Sequence, residues 1–245
     1  LFRSGRYDDA NHPTREALAI RQRIFGDEHR ETATSKSDLG LLLMDVGEIA
    51  EAERLFRENV ATTERALGAE HPNTAASVNF LGMVLAAKGQ FGEAEVLLRR
   101  ALDIRRKVFG ATNQESAFAV PSLASALEME GKYQEAEALL SDAYRQVLPL
   151  LGAENLRVSS LAVELARVQV ARGQAAGVEE VMRRALAIRE RMFPAGHWRI
   201  AEAQALLGAA LAAQGRDAEA RVLMQAADRA FKPVPGRQQR DRDAN

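Results

Sequence analysis

Small and apolar residues recur at helical spacing along this chain, and one segment shows the pattern clearly. Residues 73–88 carry such residues at Val78, Leu81, Gly82 and Leu85. Residues 90–109 carry them at Phe91, Ala94, Leu97, Leu98, Ala101, Leu102, Val108 and Phe109. Spacings of three and four residues predict amphipathic helices. Gly89 and Gly110 end these helices, because glycine closes a helix at little steric cost. The segment therefore predicts a helical hairpin.

The hairpin pattern recurs every 42 residues. Glycines mark the turn inside each hairpin at Gly5, Gly47, Gly89, Gly131, Gly173 and Gly215. A leucine and a small residue precede the turn at Leu39-Gly40, Leu81-Gly82, Leu123-Ala124, Leu165-Ala166 and Leu207-Gly208. Further glycines end the hairpins at Gly26, Gly68, Gly110, Gly152 and Gly236, and Pro194 interrupts this column. A fixed period of this length is typical of repeat arrays, in which each hairpin buries its faces against its neighbours.

The period predicts eleven helices. An opening helix is expected near 6–25, first helices of hairpins near 31–46, 73–88, 115–130, 157–172 and 199–214, and second helices near 48–67, 90–109, 132–151, 174–193 and 216–231. The solenoid should cover residues 1–232, and the polar residues 233–245 predict a disordered tail. Because the opening helix lacks its partner, we expect the natural N-terminus to lie upstream. Asp217 and Asp228 replace apolar columns in the last helix, which is typical of a terminal cap.

Two prolines predict local departures from a regular helix. Pro121 falls midway along the helix expected at 115–130, where the other repeats have ordinary helix residues. Proline removes a backbone donor and clashes with the preceding turn, so we expect a kink there. Pro13 falls inside the opening helix and should weaken it for the same reason.

Composition narrows the possible functions. Lys and Arg number 33 and Asp and Glu 34, which gives a net charge of −1 and no general affinity for nucleic acid or an anionic membrane. There is no cysteine, so disulfides and thiol catalysis are excluded and a reducing compartment is permitted. No apolar run approaches the roughly 20 residues that span a bilayer. We expect a cytoplasmic protein.

Three motifs resemble a known repeat family. They are the Gly-x-aromatic-x-x-Ala motif at 89–94, Arg-Ala-Leu-x-Ile-Arg at 100–105 and Glu-His-Pro at 70–72. Together with the 42-residue period they resemble the tetratricopeptide (TPR) repeats of kinesin light chain, and also long arrays in bacterial signalling proteins. The resemblance implies an all-α, right-handed superhelical solenoid of antiparallel helix hairpins. We expect about five full repeats after a truncated N-terminal half-repeat.

The resemblance also implies a binding site, because the first helices of such arrays line a concave groove. Of the paired asparagines that kinesin-type repeats carry there, the first position keeps only Asn79. Phe80, Met83 and Phe118 should cluster as apolar anchors for a partner segment; the alternative is that they only pack between repeats. The groove residues predicted in this way are Ser37, Leu41, Met44, Asn79, Phe80, Met83, Phe118, Ser122, Ser125, Glu164 and Arg167.

Residues in the loops between hairpins could suggest other chemistry. His29, His71 and His197 occupy one column that also holds Asn113 and Asn155. Ligands of one metal ion must converge within a few ångströms, whereas stacked loops keep these residues apart, so helix caps are expected instead. Trp198, in the proline column of the last loop, is interpreted as a packing anchor rather than a ligand platform.

The second helices carry arginine pairs at Arg99-Arg100, Arg105-Arg106 and Arg183-Arg184. They could bind phosphate, but interleaved acidic residues favour a solvated face of ion pairs. No phosphate loop, nucleophile elbow or metalloprotease motif occurs. We therefore predict no catalytic residue, no metal and no cofactor.

Three functional hypotheses remain. The favoured one is a non-catalytic scaffold that binds a peptide or protein segment in the groove. The alternative is a regulatory or oligomerisation module of a larger signalling enzyme, with a kinase or nucleotide-binding ATPase domain upstream. A free-standing enzyme is disfavoured, because no catalytic constellation can be assembled.

Overall fold

A computed structural model describes residues 7–231, and these are helical with short connections. The helices are α1 (Tyr7–Phe25), α2 (Arg30–Val46), α3 (Ile49–Leu67), α4 (Pro72–Ala87), α5 (Phe91–Phe109), α6 (Gln114–Ala117), α7 (Val120–Met129), α8 (Tyr133–Leu151), α9 (Leu156–Ala171), α10 (Glu179–Met192), α11 (Trp198–Ala212) and α12 (Asp217–Phe231). Within this range no strand forms, and no helix is long and apolar enough to cross a membrane. Predictions for residues 1–6 and 232–245, including the disordered tail, lie outside the described residues.

Consecutive helices pack as hairpins within two compact units. Residues up to 111 form the N-terminal unit, with α1 to α5, and residues from 112 form the C-terminal unit, with α6 to α12. The pairs α2–α3, α4–α5 and α11–α12 make extensive contacts, as the repeat predicts. In the N-terminal unit α4 and α5 bury Ala75, Val78, Ala101 and Ile104 against each other. The all-α hairpin architecture is therefore confirmed.

Glycines close the helices as the sequence predicts. Gly89 has φ of 79° and Gly110 has φ of 97°, in a region that other residues rarely adopt. The Gly89 turn is tied by a hydrogen bond of 2.9 Å from the Gln90 amide to the Leu85 carbonyl. This is the pairing that satisfies the last carbonyls of a helix. From Gly47 to Gly215, within the described residues, the 42-residue glycine column is thus a column of helix ends.

The small residues of the first helices allow close contact inside each hairpin. A Cβ added to Gly82 would lie 2.6 Å from Leu98 Cγ, and one added to Gly40 would lie 2.6 Å from Phe56 Cζ. Ala94, on the facing helix, is fully buried. The small residues Gly82 and Ala94 therefore let α4 and α5 approach closely.

The helix predicted at 115–130 is broken where Pro121 predicts a kink. Its first part, α6, ends at Ala117, and α7 begins at Val120, so Pro121 lies in the first turn of a new helix. Proline fits there because an amide in that turn has no partner within the helix. Between the two helices the Ala119 amide donates to the Ser116 carbonyl at 3.1 Å, three residues back. The kink is confirmed, and the single helix is replaced by two.

The helix predicted at 174–193 is wrong at its first turn. A 3-10 turn covers Ala175–Val178, and the α-helix begins only at Glu179. The turn contains Gly177, which lowers helix propensity, and Val178 stands where most repeats have alanine. Val178 is nevertheless buried at 2% exposure, so this turn still contributes to the core.

Candidate partner-binding site

The predicted groove residues lie on the first helices or, for Phe118, at the break between α6 and α7. Each of these side chains is half-buried, neither sealed in the core nor fully in water. In the N-terminal unit they are Ser37, Leu41 and Met44 on α2, and Asn79, Phe80 and Met83 on α4. In the C-terminal unit they are Phe118, then Ser122 and Ser125 on α7, and Glu164 and Arg167 on α9.

The N-terminal unit contains a cavity of about 300 Å³ between α2 and α4, with α3 behind it. Three predicted residues, Ser37, Leu41 and Phe80, are part of its wall, whereas Met44, Asn79 and Met83 are not. Its full lining is Glu28, Arg30, Ala33, Thr34, Ser37, Asp38, Leu41, Asn59, Thr63, Ala66, Leu67, Asn73, Ala76, Ser77 and Phe80. We refer to it as the α2–α4 cavity.

Phe80 combines a place in the cavity wall with a core contact. Its ring stacks on Phe56 with centroids 5.5 Å apart, and Phe56 is completely buried. Beside it, Asn79 Nδ2 donates a weak hydrogen bond to Met83 Sδ at 3.4 Å. Phe80 therefore contributes to packing as well as to the cavity surface. The packing contact agrees in part with the alternative that Phe80 packs between helices rather than binding a partner.

In the C-terminal unit the predicted residues are surrounded by charge. The Arg157 guanidinium lies over the Phe118 ring, 3.8 Å from its centroid, and Arg157 also pairs with Glu115 at 3.4 Å. Contacts of this kind attract a cation to the face of the ring. One face of the Phe118 ring is thus covered by the Arg157 side chain.

Arg167 forms a network with two carboxylates. It pairs with Glu164 at 2.5 Å and also with Glu128. Burial alone would lower the pKa of Arg167, but the negative charges of Glu164 and Glu128 raise it above its ordinary value. The guanidinium therefore stays charged, and a partner that binds here meets one positive charge paired with two carboxylates.

The expected cluster of Phe80, Met83 and Phe118 stays a prediction. Phe80 and Met83 belong to the N-terminal unit and Phe118 to the C-terminal unit. Each has its own partner within its unit, namely Phe56 for Phe80, Asn79 for Met83 and Arg157 for Phe118.

Two polar residues of α3, Asn59 and Thr63, line the α2–α4 cavity and were missed from the sequence. Asn59 is only 1% exposed, and its Nδ2 donates to the Ala33 carbonyl at 3.1 Å and to Ser37 Oγ at 2.9 Å. Its Oδ1 is buried without a hydrogen-bond partner. The sequence could have identified Asn59, because it differs from every other residue at its position in the 42-residue repeat. The other repeats have alanine there, at Ala17, Ala101, Ala143, Ala185 and Ala227.

The histidines and asparagines of the hairpin loops are helix caps, as predicted. His29, His71 and His197 each accept a hydrogen bond at Nδ1 from the backbone amide two residues on, at 3.1–3.2 Å. Asn113 and Asn155 accept the equivalent bond at Oδ1, at 2.8 and 2.9 Å. Such caps satisfy amides that a helix leaves unpaired at its start.

The arginine pairs also behave largely as predicted. Arg99, Arg183 and Arg184 pair with acidic residues one turn earlier on the same helix, at 2.7–3.2 Å. Arg105 is an exception, since its Nε is buried. Hydrogen bonds from Arg183, Gln214 and Arg216 lower the pKa of Glu179 to about 2.

Trp198 is half-buried at the start of α11. Its ring stacks near His197 at 5.8 Å between centroids, and the Arg199 guanidinium lies 5.2 Å from its centroid. These contacts fit the packing anchor that the sequence predicts.

Comparison with known proteins agrees with this architecture. Two family models described as tetratricopeptide repeat match residues 1–31 and 31–107. A comparison with curated proteins gives no match. Among solved structures, the nearly identical TPR-like repeats of a kinesin light chain candidate from Podosopora anserina are 28% identical, with a TM-score of 0.65 over 83% of this chain and 96% of that one.

A second solved structure supports the fold alone. BtubC (BKLC) from P. vanneervenii is 20% identical, with a TM-score of 0.71 over 94% of both chains. The repeat models, the glycine-closed hairpins and these likenesses agree with one another. Residues 1–107 match models of the tetratricopeptide repeat, and the described residues have a fold similar to that of kinesin-light-chain-like repeat proteins.

Proposed function

We propose that this array is a non-catalytic scaffold that binds a peptide or protein segment in a groove along its first helices. The tetratricopeptide fold itself supports a role in protein–protein interaction. The observation that carries the proposal is the α2–α4 cavity, whose wall mixes apolar side chains with hydroxyl, amide and carboxylate groups. Pockets of this kind, mostly apolar with a few convergent polar groups, are the usual form of a binding site.

The half-buried state of the groove residues supports the same role. Leu41 and Phe80 supply apolar surface to the cavity, while Ser37 and Asp38 supply polar groups at its edge. A partner segment that covers them removes apolar area from water and leaves the sealed leucines beneath them in place. Phe118, on the C-terminal unit, offers a second apolar anchor of the kind that dominates binding energy. No cofactor, metal, nucleic acid or membrane is required for this role.

A capture experiment tests the proposal. Wild-type protein and the Phe80→Ala/Phe118→Ala double variant are used to capture partners from lysate, after thermal melts show that both are folded. We expect the double variant to lose partners that wild type retains. Arg99→Glu and Phe109→Ala, which alter exposed parts of α5 outside the groove, serve as controls and should retain them. If the folded double variant captures every partner, the groove is not the binding site.

A further inference from the structure

The second helices carry a column of arginines that the array uses internally. At 42-residue spacing the column reads Arg21, Thr63, Arg105, Val147, Arg189 and Phe231, so three of its six members are arginine. Arg189 is 3% exposed, and its Nη1 donates to the Arg199 carbonyl at 2.5 Å and to Glu202 Oε2 at 3.0 Å. Arg21 reaches α2 in the same way and donates to Ser35 Oγ. In both cases a guanidinium is held between a second helix and the following first helix.

Thr63 leaves this place empty between α3 and α4. One period after Ser35 comes Ser77, and three periods before Arg199 and Glu202 come Asn73 and Ala76. Thr63 and these three residues of α4 all line the α2–α4 cavity. The cavity therefore lies at the place that Arg21 and Arg189 fill in their own repeats.

Asn59 adds an acceptor that needs a donor. Its orientation is fixed, because Nδ2 faces the Ala33 carbonyl, which can only accept a hydrogen bond. Oδ1 is consequently the atom left buried and unpaired. A buried acceptor without a donor costs stability, and native proteins usually supply a partner for it. Every other repeat has alanine at this column, so the acceptor is specific to the repeat whose second helix lines this cavity.

The charged residues of the wall favour a cation. Glu28 and Asp38 contribute carboxylates and Arg30 one positive charge. Glu28 also pairs with Arg65 at 3.2 Å, whereas the Asp38 side chain is exposed on α2. A guanidinium is planar, carries five donors and is more weakly hydrated than an ammonium, so it suits a half-enclosed site with several acceptors.

We propose that the α2–α4 cavity binds an arginine side chain of a partner segment, in place of the arginine that Thr63 replaces. The inference rests on the proposed scaffold function and names the chemistry of the group that enters. The aliphatic part of the side chain packs against Leu41 and Phe80. The guanidinium donates to acceptors of the wall such as Ser77 Oγ, and a small movement of the Asn59 side chain brings its buried Oδ1 within reach. Asp38 complements its charge from the rim.

The test is an NMR titration with N-acetyl-arginine amide, followed at the Asn59 side-chain amide and the Thr63 methyl group. We expect saturable shifts with Kd of about 1–10 mM, as befits a ligand of so few atoms. The citrulline analogue has the same shape without the charge and should bind at least about tenfold more weakly. The lysine analogue should also bind more weakly. Equal shifts with arginine and citrulline analogues, or no saturation, would overturn the inference.

Variants on α3 provide the matched controls. Thr63→Arg places the arginine of the other repeats in the cavity and should abolish binding of the probe. Ala61→Arg adds the same charge on the same helix at an exposed position outside the cavity, and should bind the probe as wild type does. Asn59→Ala restores the residue of every other repeat and should weaken binding several-fold while keeping the fold. If Thr63→Arg does not fold, the Asn59→Ala variant provides the test of whether the probe binds in the cavity.

This outcome is separable from that of the capture experiment. If the probe fails to bind while the Phe80→Ala/Phe118→Ala variant still loses partners, only the arginine inference falls. If Thr63→Arg retains the probe's binding, the cavity is not the site of the guanidinium, and the inference is wrong.

Discussion

Two glycines, Gly82 and Gly92, show how differently one residue type acts within a single hairpin. At Gly82 an added Cβ would meet Leu98 Cγ at 2.6 Å and the Ala94 carbonyl at 3.3 Å. At Gly92, an exposed helical position, it would meet nothing within 4 Å. The first glycine is needed for packing, whereas the second only adds conformational freedom to the unfolded chain.

We therefore predict opposite effects of the same substitution. Gly82→Ala should lower the free energy of unfolding by about 1–3 kcal/mol, the usual cost of overpacking. Gly92→Ala should raise it by about 0.5–1 kcal/mol, because alanine favours the helix. Urea denaturation of both variants measures the two changes. Equal effects in one direction would show that α4 and α5 are not in such close contact.

A second prediction at this scale concerns the pH dependence of stability. Glu179 has its pKa lowered from 4.5 to about 2 by hydrogen bonds from Arg183, Gln214 and Arg216. A carboxyl group whose pKa is lower in the folded state than in the unfolded state stabilises the fold. This contribution is fully present when the pH is above the unfolded-state pKa, and it is lost as the pH falls towards the folded-state pKa. Glu179→Gln should therefore flatten the fall in melting temperature between pH 4.5 and about 2.

The control for that measurement is the neighbouring residue. Glu180 has a side chain that is 88% exposed and pairs only with Arg184, at 3.2 Å, among the described contacts. Glu180→Gln should keep the wild-type slope. An unchanged slope in the Glu179→Gln variant would mean that its hydrogen bonds do not persist in solution.

At the scale of the element, the sequence predicts most helix ends because glycine and cap residues mark them. Gly89, Gly110 and the loop histidines act through backbone geometry and local hydrogen bonds, which a sequence pattern records directly. The first turn near 175–178 was mispredicted because its 3-10 form depends on a balance between a weak local preference and the burial of Val178. Pro121 was predictable since its effect on a helix is steric.

Helix α1 should be the least protected helix. It contains Pro13, and among residues 11–25 only Leu18 is buried. In contrast α5 buries Ala94, Leu98, Ala101, Leu102 and Ile104. Few buried contacts and one missing backbone donor favour local opening. Hydrogen exchange followed by mass spectrometry should show α1 exchanging fastest among the described helices. Protection of α1 equal to that of α5 would contradict this.

At the scale of the whole molecule, the sequence predicted which face of the first helices is half-buried, but it did not predict the α2–α4 cavity. The period places the first helices side by side, and this was enough to select half-buried residues such as Leu41 and Phe80. The cavity depends instead on two exceptions to the repeat, Asn59 and Thr63, whose meaning appears only when the facing residues of α4 are in place. The residues that the repeats share predict the fold, whereas the cavity depends on residues in which one repeat differs from the others.

The last prediction separates the two aromatic residues proposed as anchors. Phe80 stacks on the completely buried Phe56, whereas Phe118 carries the exposed Arg157 on its face. Phe80→Ala should therefore lower both stability and partner binding. Phe118→Ala should weaken binding by on the order of 1–3 kcal/mol, with a smaller effect on the melting temperature.

Calorimetric titration of a captured partner, with a thermal melt of each single variant, checks both expectations. Leu123→Ala serves as a control for packing, because Leu123 is a core residue with 1% of its surface exposed. This variant should lower the stability of the protein strongly, whereas the molecules that remain folded should bind the partner as wild type does. If Phe118→Ala destabilises the protein as much as Leu123→Ala does, Phe118 is a core residue. The α2–α4 cavity, with Leu41 and Phe80 in its wall, would then be the remaining candidate for the energetic centre of the proposed groove.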